Sequence, residues 1–188
     1  MTERIKFKSS FIGHFKLGDN IQYDLKILNF LNSINEEPLL LCKPKILLLT
    51  SIIESIIADL FEKIELNIRE GVNNIKNSDI TKIRKTLNSK KNTPSFCFYI
   101  EQAKNYKLLG NSSDLYNNLH NIRKIRNRIH NYNLYNHTKK ERDQKNIFTI
   151  ENQTLTEQTF IKVITEMTNK YDRGLNYVGE FQYYLNKK

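Results

Sequence analysis

The strongest apolar segment of the chain reads Pro44-Lys-Ile-Leu-Leu-Leu-Thr-Ser-Ile-Ile-Glu-Ser-Ile-Ile-Ala-Asp-Leu-Phe61. Proline is favoured at the first position of a helix, where its missing N–H costs no hydrogen bond, so Pro44 predicts a helix start. The apolar pattern continues to Ile68, and Gly71 predicts the stop. Because the segment is apolar on more than one face, we expect it to form the central helix of the core.

Helical patterns flank this segment on both sides. An apolar stripe predicts an N-terminal helix over residues 19–34, which Asp19 or Asn20 caps. No run alternates polar and apolar residues over a useful length, so the sequence predicts an all-α domain, an up-and-down bundle of four to five main helices. The remaining helices are expected from Asp79, after Ser95, from Leu115 to about Asn131 (capped by Ser113 or Asp114), and from Thr156, with a polar loop over residues 133–153.

Length, cysteine usage and hydropathy limit the class of protein. A chain of 188 residues without a linker fits a single domain, residues 1–188. The two cysteines, Cys42 and Cys97, lie far apart, which excludes a disulfide framework and a CxxC-type zinc site. No apolar run reaches the ~20 residues of a membrane span, and the first residues lack the apolar core of a signal peptide. We therefore expect a cytoplasmic protein without membrane contact.

The chain carries a basic surplus. Thirty Lys and Arg against twenty Asp and Glu give a formal charge of +10 at pH 7. This surplus predicts binding to polyanions such as RNA or DNA, or a solvated lysine-rich surface. Part of the lysine excess reflects the residue bias of an AT-rich genome, since Ala58 and Ala103 are the only alanines. The arginines, in contrast, gather in one segment.

That segment, residues 115–132, is the one with a chemical signature. On a helix at 100° per residue, Leu115, Leu119 and Ile122 belong to one apolar stripe that faces the core. The flank beside this stripe gathers polar and basic side chains: Tyr116, His120, Arg123, Arg126, Asn127 and His130.

This set matches the needs of RNA cleavage by attack of the RNA's own 2′-hydroxyl. The reaction needs a proton acceptor near neutral pH, which His130 offers. It also needs positive charge at the phosphorane, which Arg123 and Arg126 supply, while Asn127 positions the phosphate or an arginine. The chemistry requires no metal ion and no cofactor. An ordinary solvated basic helix has the same composition, so both interpretations stay open.

The stretch Ile122-Arg-Lys-Ile-Arg-Asn-Arg-Ile-His130 resembles the signature helix of HEPN domains, small helical bundles whose active members are metal-independent ribonucleases. Their motif is an Arg, often followed by a polar residue, then four to six residues and a His. Six residues separate Arg123 from His130, whereas Arg126-Asn127 supplies the dipeptide only three residues before His130. The resemblance implies Arg123 and His130 as the catalytic pair, with Arg126 and Asn127 supporting.

The resemblance covers roughly residues 40–180, a HEPN-like core. The segment 44–61 is similar to the long helix before the signature, and its mid-helix acidic residue, Glu54 or Asp59, is implied to orient the catalytic Arg. Ordinary exposed polar positions are the alternative. His130-Asn131-Tyr132 resembles the His-x-Tyr extension of HEPN toxins with nucleotidyltransferase antitoxins, where the tyrosine is modified, although Tyr132 also fits a plain helix end. His120 is a further candidate for a supporting role.

The leading hypothesis is therefore a HEPN-type endoribonuclease that cleaves RNA without metal, in a bacterial toxin–antitoxin or antiphage defence system. The alternatives are a catalytically silent HEPN-like module that binds RNA, a nucleotide or a protein partner, and a plain helical adaptor. The resemblance also implies a homodimer through the signature helix, an apolar surface patch beside the motif, and an antitoxin or defence-system partner.

Overall fold

The computed structural model describes residues 2–34, 37–66, 71–89, 94–129, 143–174 and 179–186. Within these ranges the protein is mostly helical, as the sequence predicts, with six α-helices and one small two-stranded sheet. The elements are β1 (Thr2–Lys8), α1 (Phe15–Ser33), α2 (Pro38–Glu65), α3 (Asn77–Asn88), α4 (Phe96–Asn105), α5 (Ser113–Asn127), a 3₁₀ turn (Gln144–Asn146), α6 (Ile150–Tyr171) and β2 (Glu180–Asn186).

The helix α2 is the centre of the bundle. It contacts α1, α3, α4, α5 and α6, and Ile53, Ile56 and Ile57 are wholly buried between them. The helix begins at Pro38, six residues before the predicted start, and Pro44 lies inside it. Because proline lacks an N–H, the i to i−4 hydrogen bond to Leu40 is missing, a loss that an exposed first turn tolerates.

The sheet is the part of the fold that the sequence patterns did not predict. β1 and β2 pair antiparallel over seven residues each. Phe7 of β1 and Tyr183 of β2 both make edge-to-face contacts with Phe160 of α6, which joins the sheet to the core. Asn29 and Asn32 of α1 hydrogen-bond the backbone along the outer edge of β2. The mostly helical protein is consistent with the predicted all-α class, and the two-stranded sheet is an addition that the prediction lacked.

The start of α6 also differs from the prediction. The helix begins at Ile150, in the segment predicted as a polar loop, and not at Thr156. Thr149 is its N-cap, because its hydroxyl accepts a hydrogen bond from the backbone N–H of Asn152. Ser112 caps α5 in the same way, one residue before the nearer of the two predicted caps.

The end of α5 bears directly on the predicted site. The helix ends at Asn127, four residues before the predicted end. The N–H groups of Arg128 and Ile129 bond carbonyls only three residues back, which tightens the last turn. The regular rotation of 100° per residue therefore applies only as far as Asn127. His130 and Tyr132 belong to residues 130–142, which lie outside the described residues.

Candidate functional site

The basic flank of α5 is positioned by the apolar side of the same helix. Leu115, Leu119 and Ile122 are buried, and α5 packs on α2, α4 and α6. This packing fixes the rotation of the helix about its axis. Side chains three residues apart are neighbours on a helix, so His120, Arg123 and Arg126 form one ridge beside the buried stripe. We call these three residues the α5 flank.

Arg126 forms an ion pair with Glu54 of α2, in which its Nη2 donates to Oε2 of the carboxylate. The two side chains are 32% and 31% exposed, so the pair is only partly screened by water. The Nε of Arg126 is buried and has no hydrogen-bond partner among the described residues. A mid-helix carboxylate of α2 thus orients an arginine of the flank, and that arginine is Arg126 rather than Arg123.

Arg123 lies one turn before Arg126 and is half-buried. Its Nε is also buried, and no residue in the described part of the chain accepts a hydrogen bond from it. Its charge contributes to lowering the pKa of His120, which places the guanidinium and the imidazole close together. The flank therefore holds two neighbouring guanidinium groups, each with an unused buried donor.

His120 joins α5 to α4. Its Nε2 lies 2.9 Å from Oε1 of Glu101, and the imidazole is only 18% exposed. Burial lowers the pKa of His120 below 6.5, and this effect outweighs the opposing attraction of Glu101. The ring is consequently neutral at pH 7, and its contact with Glu101 holds it between α4 and α5.

Two residues that the sequence assigned to this site lie elsewhere. Tyr116 is in the core, where its hydroxyl accepts from the N–H of Leu109 and donates to the carbonyl of Ala103, and burial raises its pKa to about 12. Asp59 follows Glu54 by five residues, which rotates it by about 140° around α2 and turns it toward α1. Glu54 is thus the only one of the two acidic candidates that reaches the flank.

The other predicted residues have separate outcomes. Asn127 is exposed and is the last residue of α5. His130 and Tyr132 lie outside the described residues, so the Arg123–His130 pair stays a prediction. The apolar patch expected beside the motif is not found among the described residues. Their exposed large apolar side chains lie on α1 and at the two ends of α2, namely Phe15, Tyr23, Phe30, Leu39, Leu40 and Leu66.

A second polar cluster, which the sequence patterns did not indicate, lies where the N-terminal end of α1 meets α2. The wholly buried Asp59 accepts hydrogen bonds from the N–H of Gly13 and from Nδ1 of His14, both at 2.9 Å. Lys63 is also wholly buried, with Nζ 3.5 Å from Oδ2 of Asp59 and a hydrogen bond to the carbonyl of Phe11. We call Gly13, His14, Asp59 and Lys63 the Asp59 cluster.

His14 is the N-cap of α1, which begins four residues before the predicted start at residue 19. Its side chain makes no capping hydrogen bond, because the ring turns to Asp59 instead. The imidazole is 42% exposed, and it lines a cleft of about 510 Å³ together with Phe15, Arg173 and Phe181. The only sequence signal for this cluster was that Asp59 and Lys63 interrupt a helix that is apolar on several faces.

The Asp59 cluster predicts an unusual pH dependence of stability. The hydrogen bond to Asp59 raises the pKa of His14 above 6.5, with a further contribution from Glu62. The folded state therefore favours protonated His14, whose stabilisation is present below pH ~6.5 and is lost as the pH rises through the raised pKa. His14→Gln should lower Tm more near pH 5.5 than near pH 8.

Thermal unfolding followed by circular dichroism at the two pH values checks this, with His120→Gln as the matched control. The pKa of His120 is lowered, so its replacement should cost less at the acidic pH than at the basic one. An equal loss of Tm at both pH values for His14→Gln would contradict the assignment.

Comparison with protein-family models, with curated proteins and with solved structures finds no match for this chain. In the described ranges, no three His, Cys, Asp or Glu side chains come together in a way that could hold a metal ion. None of the helices in those ranges combines the length and the hydropathy of a membrane-crossing segment. No disulfide bond joins Cys42 and Cys97, and the Sγ of Cys42 donates to the carbonyl of Pro38. The function must therefore be inferred from the side chains of α5 and its neighbours.

Proposed function

We propose that this protein is a HEPN-type endoribonuclease, which cleaves RNA without a metal ion at the α5 flank and the residues that follow it. The observation that carries the proposal is the ion pair between Glu54 and Arg126. The HEPN resemblance implies that an acidic residue in the middle of the preceding long helix orients an arginine of the signature. Glu54 occupies that place in α2.

The two arginines of the flank support phosphate binding. Both side chains are partly exposed, and guanidinium groups donate charge-assisted hydrogen bonds to phosphate oxygens. Glu54 already restricts the side chain of Arg126, so less conformational entropy is lost when a phosphate binds. The +10 charge of the chain favours the approach of a polyanion in general.

In the proposed reaction, the 2′-hydroxyl of the RNA attacks the adjacent phosphorus and the 5′-oxygen leaves. The products are a 2′,3′-cyclic phosphate end and a 5′-hydroxyl end. His130 removes the proton from the attacking hydroxyl or supplies one to the leaving oxygen. Arg123 and Arg126 stabilise the negative charge that develops on the phosphorane, and Asn127 holds one of its oxygens. A cytoplasmic toxin or antiphage effector, held by an antitoxin or triggered by a partner, is the setting that suits such an enzyme.

The test is incubation of the purified protein with single-stranded RNA or tRNA in the presence of EDTA. We expect cleavage to persist in EDTA and to leave 2′,3′-cyclic phosphate ends, which mass spectrometry of the fragments identifies. Cleavage that EDTA abolishes would contradict the metal-independent mechanism. Products with 3′-hydroxyl ends would exclude attack by the 2′-hydroxyl.

The second candidate function is RNA binding without cleavage. The early end of α5 favours it, because the helix that carries Arg123 ends at Asn127, three residues before His130 in the sequence. In that case a gel-shift assay shows binding that Arg123→Ala and Arg126→Ala weaken, while the bound RNA stays intact. The same purified protein and RNA therefore distinguish the two candidates.

A further inference from the structure

The outer face of α1 exposes aromatic side chains that no described residue covers. Phe15 is 87% exposed, and Tyr23 and Phe30 are each 66% exposed. The opposite face of the helix carries the buried Ile21 and Leu25. At 100° per residue, the outer residues fall within an arc of about 100°. We call them the α1 stripe: Phe15, Asp19, Gln22, Tyr23, Lys26 and Phe30, all exposed.

Exposed aromatic side chains that share one helix face are typical of interaction surfaces. Single exposed apolar residues need no explanation, but here three aromatics recur on one face of a 19-residue helix, about two turns apart. The aromatic residues are also those most enriched at protein interfaces. We therefore expect the α1 stripe to contact another molecule, and the order of its residues along the helix indicates which one.

The stripe is symmetric about the middle of the helix. Phe15 and Phe30 lie at equal distances on either side of the point between residues 22 and 23. Asp19 and Lys26 lie at equal, shorter distances on either side of the same point. If a second copy of the helix is related to the first by a two-fold axis through this point, each residue faces the other member of its pair. Phe15 then faces Phe30, and Asp19 faces Lys26. A surface with this property is complementary to itself, as the interface of a two-fold dimer must be.

We propose that a second copy of this chain docks on the α1 stripe, with the two α1 helices antiparallel. Phe15 of each subunit then contacts Phe30 of the other, Asp19 pairs with Lys26, and Gln22 meets Tyr23. In a parallel arrangement, Asp19 would meet Asp19 and Lys26 would meet Lys26. Like charges in contact are unfavourable, so the charge pattern selects the antiparallel orientation.

The first turn of α2 also exposes apolar side chains, those of Leu39 and Leu40. Only residues 34–37 of the chain separate this turn from the C-terminal end of α1, the end that meets Phe15 of the other subunit in the antiparallel dimer. α1 packs on α2 and β2, whereas α5 packs on α2, α4 and α6. The proposed interface is therefore different from the signature helix and does not depend on RNA cleavage.

Charge reversal tests the pairing. Sedimentation equilibrium of the wild type should show a dimer of twice 22.3 kDa that dissociates on dilution. Asp19→Lys and Lys26→Asp each place like charges together at two symmetric positions, so each should raise the dimer Kd by at least about tenfold. The double variant Asp19→Lys/Lys26→Asp restores both pairs and should regain most of the affinity. Lys82→Glu, at an exposed position of α3, is the matched control with unchanged Kd.

All of these positions are exposed, so the variants should keep the wild-type circular dichroism spectrum, and the wild-type Tm at concentrations where both proteins are monomeric. A wild type that stays monomeric at high concentration would overturn the proposal. So would a dimer whose Kd does not respond to either single charge reversal, because its interface would then lie elsewhere.

Spin labels give an independent readout of orientation, in a background with Cys42→Ser and Cys97→Ser. The rise of 1.5 Å per residue places the two copies of residue 33 about 30 Å apart along an antiparallel pair, and the two copies of residue 22 about 10 Å apart across it. A long distance for a label at Ser33 together with a short one for a label at Gln22 supports the proposal. Short distances at both positions indicate a parallel dimer and contradict it.

Discussion

Replacing Asp59 with alanine is expected to lower the free energy of unfolding by about 3–5 kcal/mol, the cost of leaving a buried charge without its counter-ion. Lys63 is wholly buried, and Asp59 is the carboxylate that neutralises it. The substitution also removes the acceptor for the N–H of Gly13 and for the ring of His14. Urea denaturation followed by circular dichroism measures the loss.

Two further variants make this prediction specific. Glu62→Ala removes a carboxylate that is 54% exposed, so it should change the stability by less than about 1 kcal/mol. The double variant Asp59→Asn/Lys63→Met removes both charges and keeps an amide oxygen that accepts from the N–H of Gly13. Its free energy of unfolding should therefore be much closer to that of the wild type than that of Asp59→Ala is. If the double variant were as unstable as Asp59→Ala, the unpaired charge of Lys63 would not be the cause.

Replacing His130 with alanine is expected to lower the rate of RNA cleavage by about 10²–10⁴-fold, the usual effect of removing a general acid or base. Arg123→Ala should lower it by about 10²–10³-fold, because charge on the phosphorane is then less stabilised. Lys124→Ala is the matched control, since Lys124 is an exposed cation of the same helix that is rotated by about 100° from Arg123. Rates come from single-turnover cleavage of a labelled RNA.

The same assay separates the roles of the two arginines. Glu54→Gln keeps the shape of the side chain but removes the charge that orients Arg126. If Arg126 is the phosphate ligand, Glu54→Gln should reproduce part of the loss seen for Arg126→Ala and add nothing in that background. If Arg123 is the ligand, Glu54→Gln should have a small effect. Cleavage that survives His130→Ala would contradict the mechanism in either case.

The elements that were predictable from the sequence are those whose signal is local. α2 is apolar on most faces over many residues, and Ser95 is an N-cap as predicted. The predicted start of α2 was wrong because Pro44, in the second turn, removes only the hydrogen bond to the carbonyl of Leu40 in the exposed first turn. The predicted end of α5 was wrong because no glycine or proline comes directly after Asn127, so the sequence contains no stop signal there.

The features that were not predictable depend on distant parts of the chain. Ile5 and Phe7 do alternate with lysines in β1, but the run is short, and its partner strand lies more than 170 residues away in the sequence. Asp59 and Lys63 have the spacing of an ordinary surface ion pair. Only the packing of the residues before α1 onto α2 buries them. The HEPN resemblance implied that Glu54 or Asp59 orients the catalytic arginine, with Arg123 as the leading choice, whereas Glu54 contacts Arg126.

The pairing of β1 with β2 has a consequence for the order in which the fold can form. A ribosome makes β1 before every other described element and β2 after all of them. The strand β1 and the amide side chains of Asn29 and Asn32 therefore cannot form their hydrogen bonds to β2 until the last described element has been made. Closing so long a loop is entropically unfavourable until the helices have assembled. We therefore expect the sheet to form last, and its amide hydrogens to exchange with solvent sooner than those of α2.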